Sequence, residues 1–254
     1  MFRIALSLSL LIAMTQAALA SELTVIGQAT TIGALKQLVP RFEKQSGDKV
    51  EIALGNPGVT LDRLRQAPSV DVLIVGTNLW NTALKEGWID ETSRITLGQT
   101  HIGIGISRQA KPPIIRDKAS FIAFLRQVKT IGLVDPNGGS GTSPPFMKAV
   151  EALGIAGEIA PKYRYIPGAG DAVSDAIARG DVESGVTAIP ELAANRGVKV
   201  IGPVPADVLD WSATTYAVVG SHAQNPAAAR QFVAFLQSSA AIKAFRAIGL
   251  NPAN

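Results

Sequence analysis

Apolar and polar positions along the chain fall into alternating short runs and longer periodic stretches. Leu23-Thr24-Val25-Ile26 reads as a short β-branched strand, and Leu35, Leu38, Val39 and Phe42 then recur at i, i+3, i+4 and i+7, one face of an amphipathic helix. Gly47 stops that helix. Val50 to Leu54 forms a second strand, Gly55-Asn56-Pro57-Gly58 a loop, and Leu61 and Leu64 mark a second helix. Asp71 to Gly76 has the continuous apolar character of a strand buried on both faces, and Thr77 and Asn78 behind it suit a helix start. A mostly parallel sheet with helices on its faces follows.

The pattern changes after Arg94. Ile102-Gly103-Ile104-Gly105-Ile106 alternates strictly, and Lys111-Pro112-Pro113 breaks the chain beyond it, which predicts a crossover between two lobes. A second α/β series then runs through the helix face of Phe121, Phe124, Leu125 and Val128, the strand Ile131 to Asp135, and a helix carrying Phe146, Val150 and Leu153. Tyr163 to Gly180 is another strand and helix, with Val173, Ala176 and Ile177 facing inward. Ser184 to Ile189 is a strand running into Pro190 and Glu191. Thr214 to Val219 is a return strand, and Phe232, Phe235 and Leu236 place a final helix. The expected architecture is α/β and two-lobed, with a hinged cleft between lobes: 21–101 forms the first lobe, completed by about 214–254, and 102–213 the second. Ligands of such open sheets bind beyond the strand C-termini.

Composition narrows the chemistry. With 47% hydrophobic and 17% charged residues, the 254-residue chain is globular in character. It has no cysteine, which removes disulfides, thiolate metal sites and cysteine nucleophiles, and its two histidines, His101 and His222, are too few for the usual imidazole metal centre. No metal or cofactor is expected. The net charge of +4 comes without a basic block or interleaved aromatic stripe, so no nucleic-acid partner is expected. Arg3, the apolar run Ile4 to Met14 and Ala18-Leu19-Ala20 before Ser21-Glu22 predict a signal peptide over 1–20, cleaved after Ala20, and a periplasmic mature protein in a Gram-negative source. A retained anchor is the competing reading of that run.

The candidate chemistry sits at helix starts. Asp135-Pro136-Asn137-Gly138-Gly139-Ser140-Gly141-Thr142-Ser143 lies between a predicted strand and helix, where backbone N–H groups carry partial positive charge and Ser140, Gly141 and Thr142 give hydroxyl donors and close approach. It can cradle an anion, or serve as a flexible turn with an ordinary cap. Thr30 and Thr31, after the first strand, can likewise cap the first helix or donate to a ligand, and Gly58 offers backbone access in a third strand-end loop. Glu191 can reach the cleft or favour a helix start, and His101 can face the cleft or cap its strand. Trp80, Trp88 and Trp211 are expected to pack.

These residues resemble the type II periplasmic solute-binding proteins of the molybdate-binding kind. The likeness rests on Leu23-Thr24-Val25 with its helix to Phe42-Glu43-Lys44-Gln45-Ser46-Gly47, on Val70 to Ile74, on the Val134-Asp135-Pro136 loop through Ala152-Leu153-Gly154, and on Gly185 and Gly197 to Val200. It implies an extracytoplasmic monomeric receptor that closes on an oxyanion and delivers it to an ABC permease. The family's first-helix serine falls on Thr30, its second first-lobe serine near Gly58, its second-lobe loop contact on Ser140 to Thr142, and its tyrosine on Ala188. A subgroup that includes bacterial aconitate isomerases is echoed by His101-Ile102-Gly103, Ser140-Gly141, Leu153 to Ala156 and Ile201 to Pro205, with Glu191 and Leu192 matching at a strand end that is otherwise different. The reading is capture of a small anion, an oxyanion or a compact carboxylate, by Thr30, Thr31, Gly58, Ser140, Gly141 and Thr142. The alternative is an isomerase moving a proton on an unsaturated tricarboxylic acid, with Glu191 or His101 as base.

Overall fold

The computed structural model describes residues 20–67 and 69–251; the signal peptide expected over 1–20 lies, apart from Ala20, outside them. The chain forms β1 (Glu22–Gln28), α1 (Ile32–Ser46), β2 (Lys49–Gly55), α2 (Pro57–Gln66), β3 (Val72–Gly76), α3 (Thr77–Lys85) and the long β4 (Ile95–Ser107). It continues through α4 (Lys118–Gln127), β5 (Ile131–Val134), α5 (Ser143–Ala152), α6 (Ala156–Ile159), β6 (Tyr163–Ile166), α7 (Gly170–Arg179), β7 (Ser184–Ala188) and α8 (Ile189–Ala193). β8 (Val198–Pro203), β9 (Ser212–Val219), α9 (Pro226–Phe235) and α10 (Ser239–Ala247) complete it. No helix among the described residues is long and apolar enough to cross a membrane.

Among the described residues, nine strands form one sheet in the order β2-β1-β3-β9-β4-β7-β5-β6, with β8 also on β4. β4 joins two halves: Ile95 to His101 pairs with β9, whereas Ile102 to Ile106 pairs with β7 and, on its other edge, with β8. The sheet is mixed, not mostly parallel. β1–β2, β1–β3, β5–β6 and β5–β7 are parallel, but every pairing of β4 and β9 is antiparallel.

Helices cover both faces of each half, as burial of the strands requires. In the first half α1, α9 and α10 pack Leu35, Leu38, Phe42, Phe232 and Phe245 against Leu23, Val25, Val72 and Ile74, and the opposite face is closed by Leu64, Leu79 and Trp80. α1 buries the face expected from its spacing and ends at Gly47 with φ of 84°, the left-handed stop. In the second half Ile102, Ile104 and Ile106 join Phe121, Phe146 and Val150 in one core, while Val134, Val173, Ile177 and Leu192 fill the other. The Ile-Gly alternation now has a reason. A Cβ on Gly105 would lie 2.8 Å from the Leu192 Cδ2, so the bare glycine face lets α8 lie directly on β4.

Two elements exceed the sequence expectation. β8 is an edge strand of half-buried residues, and α10 adds a second C-terminal helix that buries Ala241 and Phe245. Thr77 and Asn78 lie inside α3, whose N-cap is Gly76.

Candidate functional site

The C-terminal ends of β1, β2, β3, β5 and β7 converge on a cavity of about 50 Å³ between the two halves of the sheet. The first half contributes Gln28, Thr30, Asn56 and Asn78, and the second half Ser140, Gly141, Thr142, Gly170 and Glu191, with Thr100, Trp211 and Thr215 from the joining strands and the segment before β9. Among the described residues, no lysine, arginine or histidine lines it. The polar wall is therefore one of neutral amide and hydroxyl groups, with one carboxyl.

Thr30 lies in the 3-10 turn between β1 and α1, and its hydroxyl oxygen is buried with no hydrogen-bond partner among the described residues. A buried polar atom without a partner is costly unless something completes it. Thr31 is spoken for: it is fully buried and its hydroxyl donates to the Gln28 carbonyl at 3.1 Å, so it does not line the cavity. The Gln28 carboxamide accepts from the Gly76 N–H and donates to Asn78 Oδ1 at 3.1 Å, which orients the Asn78 side chain at the wall.

The loop before α5 is held by its own hydroxyls. The Ser140 hydroxyl accepts from the Thr142 and Ser143 amides at 3.3 and 3.1 Å and donates to Ser143 Oγ at 3.0 Å, while Ser143 donates to the Val134 carbonyl at 2.7 Å. These are turn bonds ahead of α5, whose N-cap Thr142 makes no side-chain cap, and Ser140, Gly141 and Thr142 also line the cavity. Gly58 is not at the wall. Its N–H donates to the Gly139 carbonyl at 3.2 Å, because the two glycine backbones touch across the cleft.

Among the described residues, Glu191 is the one ionisable group lining the cavity, 6% exposed. Thr187 donates to its Oε2 at 2.6 Å and so can accept from the Thr142 hydroxyl 3.4 Å away, a chain of hydroxyls from the cavity wall to the carboxyl. Gly170, the first residue of α7, leaves no room for a Cβ against this carboxyl. Burial pushes the Glu191 carboxyl up to about 7, the Thr187 bond and the Gly170 and Ala188 amides oppose this, and Asp171 adds to the rise. His101 is exposed, holds its Nδ1 3.1 Å from the Trp211 carbonyl, and is outside the cavity. Trp211 both packs beside the second-half core and lines the cavity.

Gln28, Asn56, Asn78 and Thr187 were absent from the sequence-based site. Gln28 and Asn56 do leave a trace, as polar residues closing apolar strands, but their partners lie elsewhere in the chain.

A family model described as bacterial extracellular solute-binding protein matches residues 23–251. An aconitate isomerase from a Pseudomonas species is 28% identical over 238 residues, covering 91% of this chain and 88% of that protein. Among solved structures, the periplasmic molybdate-binding protein of Azotobacter vinelandii superposes with a TM-score of 0.73 at 20% identity, covering 91% of this chain and 100% of that one. The periplasmic binding protein AfuA of Actinobacillus pleuropneumoniae, with fructose-6-phosphate bound, gives 0.65 at 15% identity, covering 91% of this chain and 83% of that one. The structural likenesses establish the two-lobe α/β fold of periplasmic binding proteins.

Proposed function

This chain belongs to the bacterial extracellular solute-binding protein family, and on that premise we propose that it captures a small anion, a tetrahedral oxyanion or a compact carboxylate, for delivery to an ABC permease. The observation that carries the reading is the Thr30 hydroxyl, buried without a partner beside a cavity walled by neutral donors. An anion supplies what that hydroxyl lacks, and Gly141, Thr142 and Asn78 line the same cavity, together with Ser140, whose hydroxyl hydrogen is already given to Ser143 Oγ. Neutral dipoles in a dry site replace hydration without a countercharge, as they do at helix starts. The cavity is compact, about 50 Å³, which favours a small solute. Residues 21–101 with about 214–254, and 102–213, are the lobes proposed to move, hinged where β4 changes partners between His101 and Ile102. Residues 1–20 are proposed as the export signal.

The test is thermal unfolding of residues 21–254 across molybdate, tungstate, sulfate, phosphate and short di- and tricarboxylates, each hit then incubated and its products examined. A solute bound only by the native state raises the midpoint; a panel with no shift would overturn the reading.

Glu191 favours a second reading. A single carboxyl at the cavity wall, with a pKa near neutrality, is the kind of group that takes and returns a proton, and the Pseudomonas relative is an aconitate isomerase. In this reading Glu191 moves a proton along an allylic system. Interconversion of cis- and trans-aconitate by the wild type, lost in Glu191→Gln, supports it; unchanged aconitate rejects it.

A further inference from the structure

Direct bonds between the two halves of the sheet run beside the cavity. Asn56 follows β2 and caps α2, its Oδ1 accepting from the Val59 N–H at 2.9 Å. Its carboxamide N–H groups then reach across the cleft, donating from Nδ2 to the Gly138 carbonyl at 2.7 Å and to the Gly168 carbonyl at 3.1 Å. These acceptors lie in the loops after β5 and β6, in the second half of the sheet. Asn56 is 6% exposed, so the bonds are sheltered from water.

Beside them the backbones touch. Gly58 donates to the Gly139 carbonyl at 3.2 Å; a Cβ on Gly58 would sit 2.8 Å from the Gly139 Cα, and one on Gly139 would sit 2.6 Å from the Gly58 Cα. The approach exists because neither residue has a side chain. Gly139 also has φ of 81°, where glycine is favoured.

We propose that Asn56 is a positioning residue that latches the two halves together through these hydrogen bonds, so that the closed cavity is populated in the solute-free chain. Both Nδ2 hydrogens are occupied, and the carboxamide therefore acts on solute affinity by holding the walls in place. The proposal does not depend on which solute the site takes.

Two substitutions separate the latch from local structure. Asn56→Asp keeps an acceptor for the Val59 amide, so the cap survives, but it removes both donors and turns a carboxylate oxygen toward two carbonyls. Gly58→Ala lies in the first turn of α2, where alanine favours the helix, so a merely structural role predicts equal or higher stability. Its Cβ nevertheless meets the Gly139 backbone. Because the chain has no cysteine, spin labels at Arg65→Cys in α2 and Lys148→Cys in α5, both exposed, report the distance across the cleft by pulsed EPR in solute-free buffer. The wild type is expected to show the short closed distance, and each variant a closed-to-open ratio roughly tenfold lower or less. A wild type showing only the long distance, or variants with the wild-type distribution, would overturn the latch. A failed anion panel would leave this readout unchanged, so the two results are separable.

Discussion

Replacing Glu191 by glutamine should change how stability depends on pH, in a direction fixed by burial. The carboxyl sits at about 7 in the folded chain against an ordinary value of 4.5, mainly because burial disfavours its charged form. Between those values the folded state holds a proton that the unfolded state has released, so stability falls as pH rises through this window and is flat above it. The difference of about 2.5 units at 1.36 kcal/mol each corresponds to about 3 kcal/mol. Asp90, Asp117 and Glu158 act oppositely: Thr92, Ser120 and Arg126 hold their carboxyls below the ordinary range, and the stability they add is lost as pH falls. They are common to both proteins and cancel in the comparison. The assay is urea unfolding followed by tryptophan fluorescence at pH 4.5, 5.5, 6.5 and 7.5 for wild type and Glu191→Gln. The wild type should lose about 3 kcal/mol relative to the variant across the series. Parallel profiles would refute the reasoning and show a Glu191 carboxyl that ionises as freely folded as unfolded.

Other substitutions probe the walls. Thr30→Val removes a hydroxyl that has no partner among the described residues, so solute-free stability should hold or rise by up to about 1 kcal/mol, while affinity for a bound anion should fall roughly tenfold to a hundredfold, read by calorimetry. Thr31→Val, which loses a buried hydrogen bond to Gln28, should instead lower the unfolding midpoint by an amount equal to about 1 kcal/mol and leave the solute-induced shift in place. Gly105→Ala drives a methyl into Leu192 where α8 rests on β4 and should destabilise by about 1–3 kcal/mol in urea titrations. Anion affinity of the wild type, measured from pH 6 to 9, should weaken as Glu191 gains charge above about pH 7, because no cation in the cavity offsets it; Glu191→Gln should bind without that decline.

Much of this architecture was written in local patterns. The apolar run of β3, the face of α1 and the Ile-Gly alternation of β4 each encode burial within a few residues, and each folds as its pattern predicts. Strand direction is not local: β9 has the composition of any buried strand, and its antiparallel run beside β3 follows from where the chain returns. The edge strand β8 was hidden because its residues are half-buried and show little contrast. At the site, Thr30 and the loop of Ser140 to Thr142 were legible since helix starts after strands announce exposed amides. Thr31 beside Thr30 carries the same signal, and only the 3-10 turn decides which hydroxyl meets the cavity. Gly58 is expected from its loop to offer backbone access to a ligand, whereas in the fold its N–H donates to the Gly139 carbonyl. Asn56 was invisible as a bridge because its acceptors lie 82 and 112 residues away.

The central claim, that a small anion is held in this cavity by neutral donors, is tested most directly by diffraction from crystals grown with whichever anion of the panel raises the midpoint most. The account predicts that anion between the two halves of the sheet, within hydrogen-bond distance of the Thr30 hydroxyl and the Ser140 to Thr142 loop. An anion seated elsewhere on the chain, with the Thr30 hydroxyl still unpartnered, would contradict it.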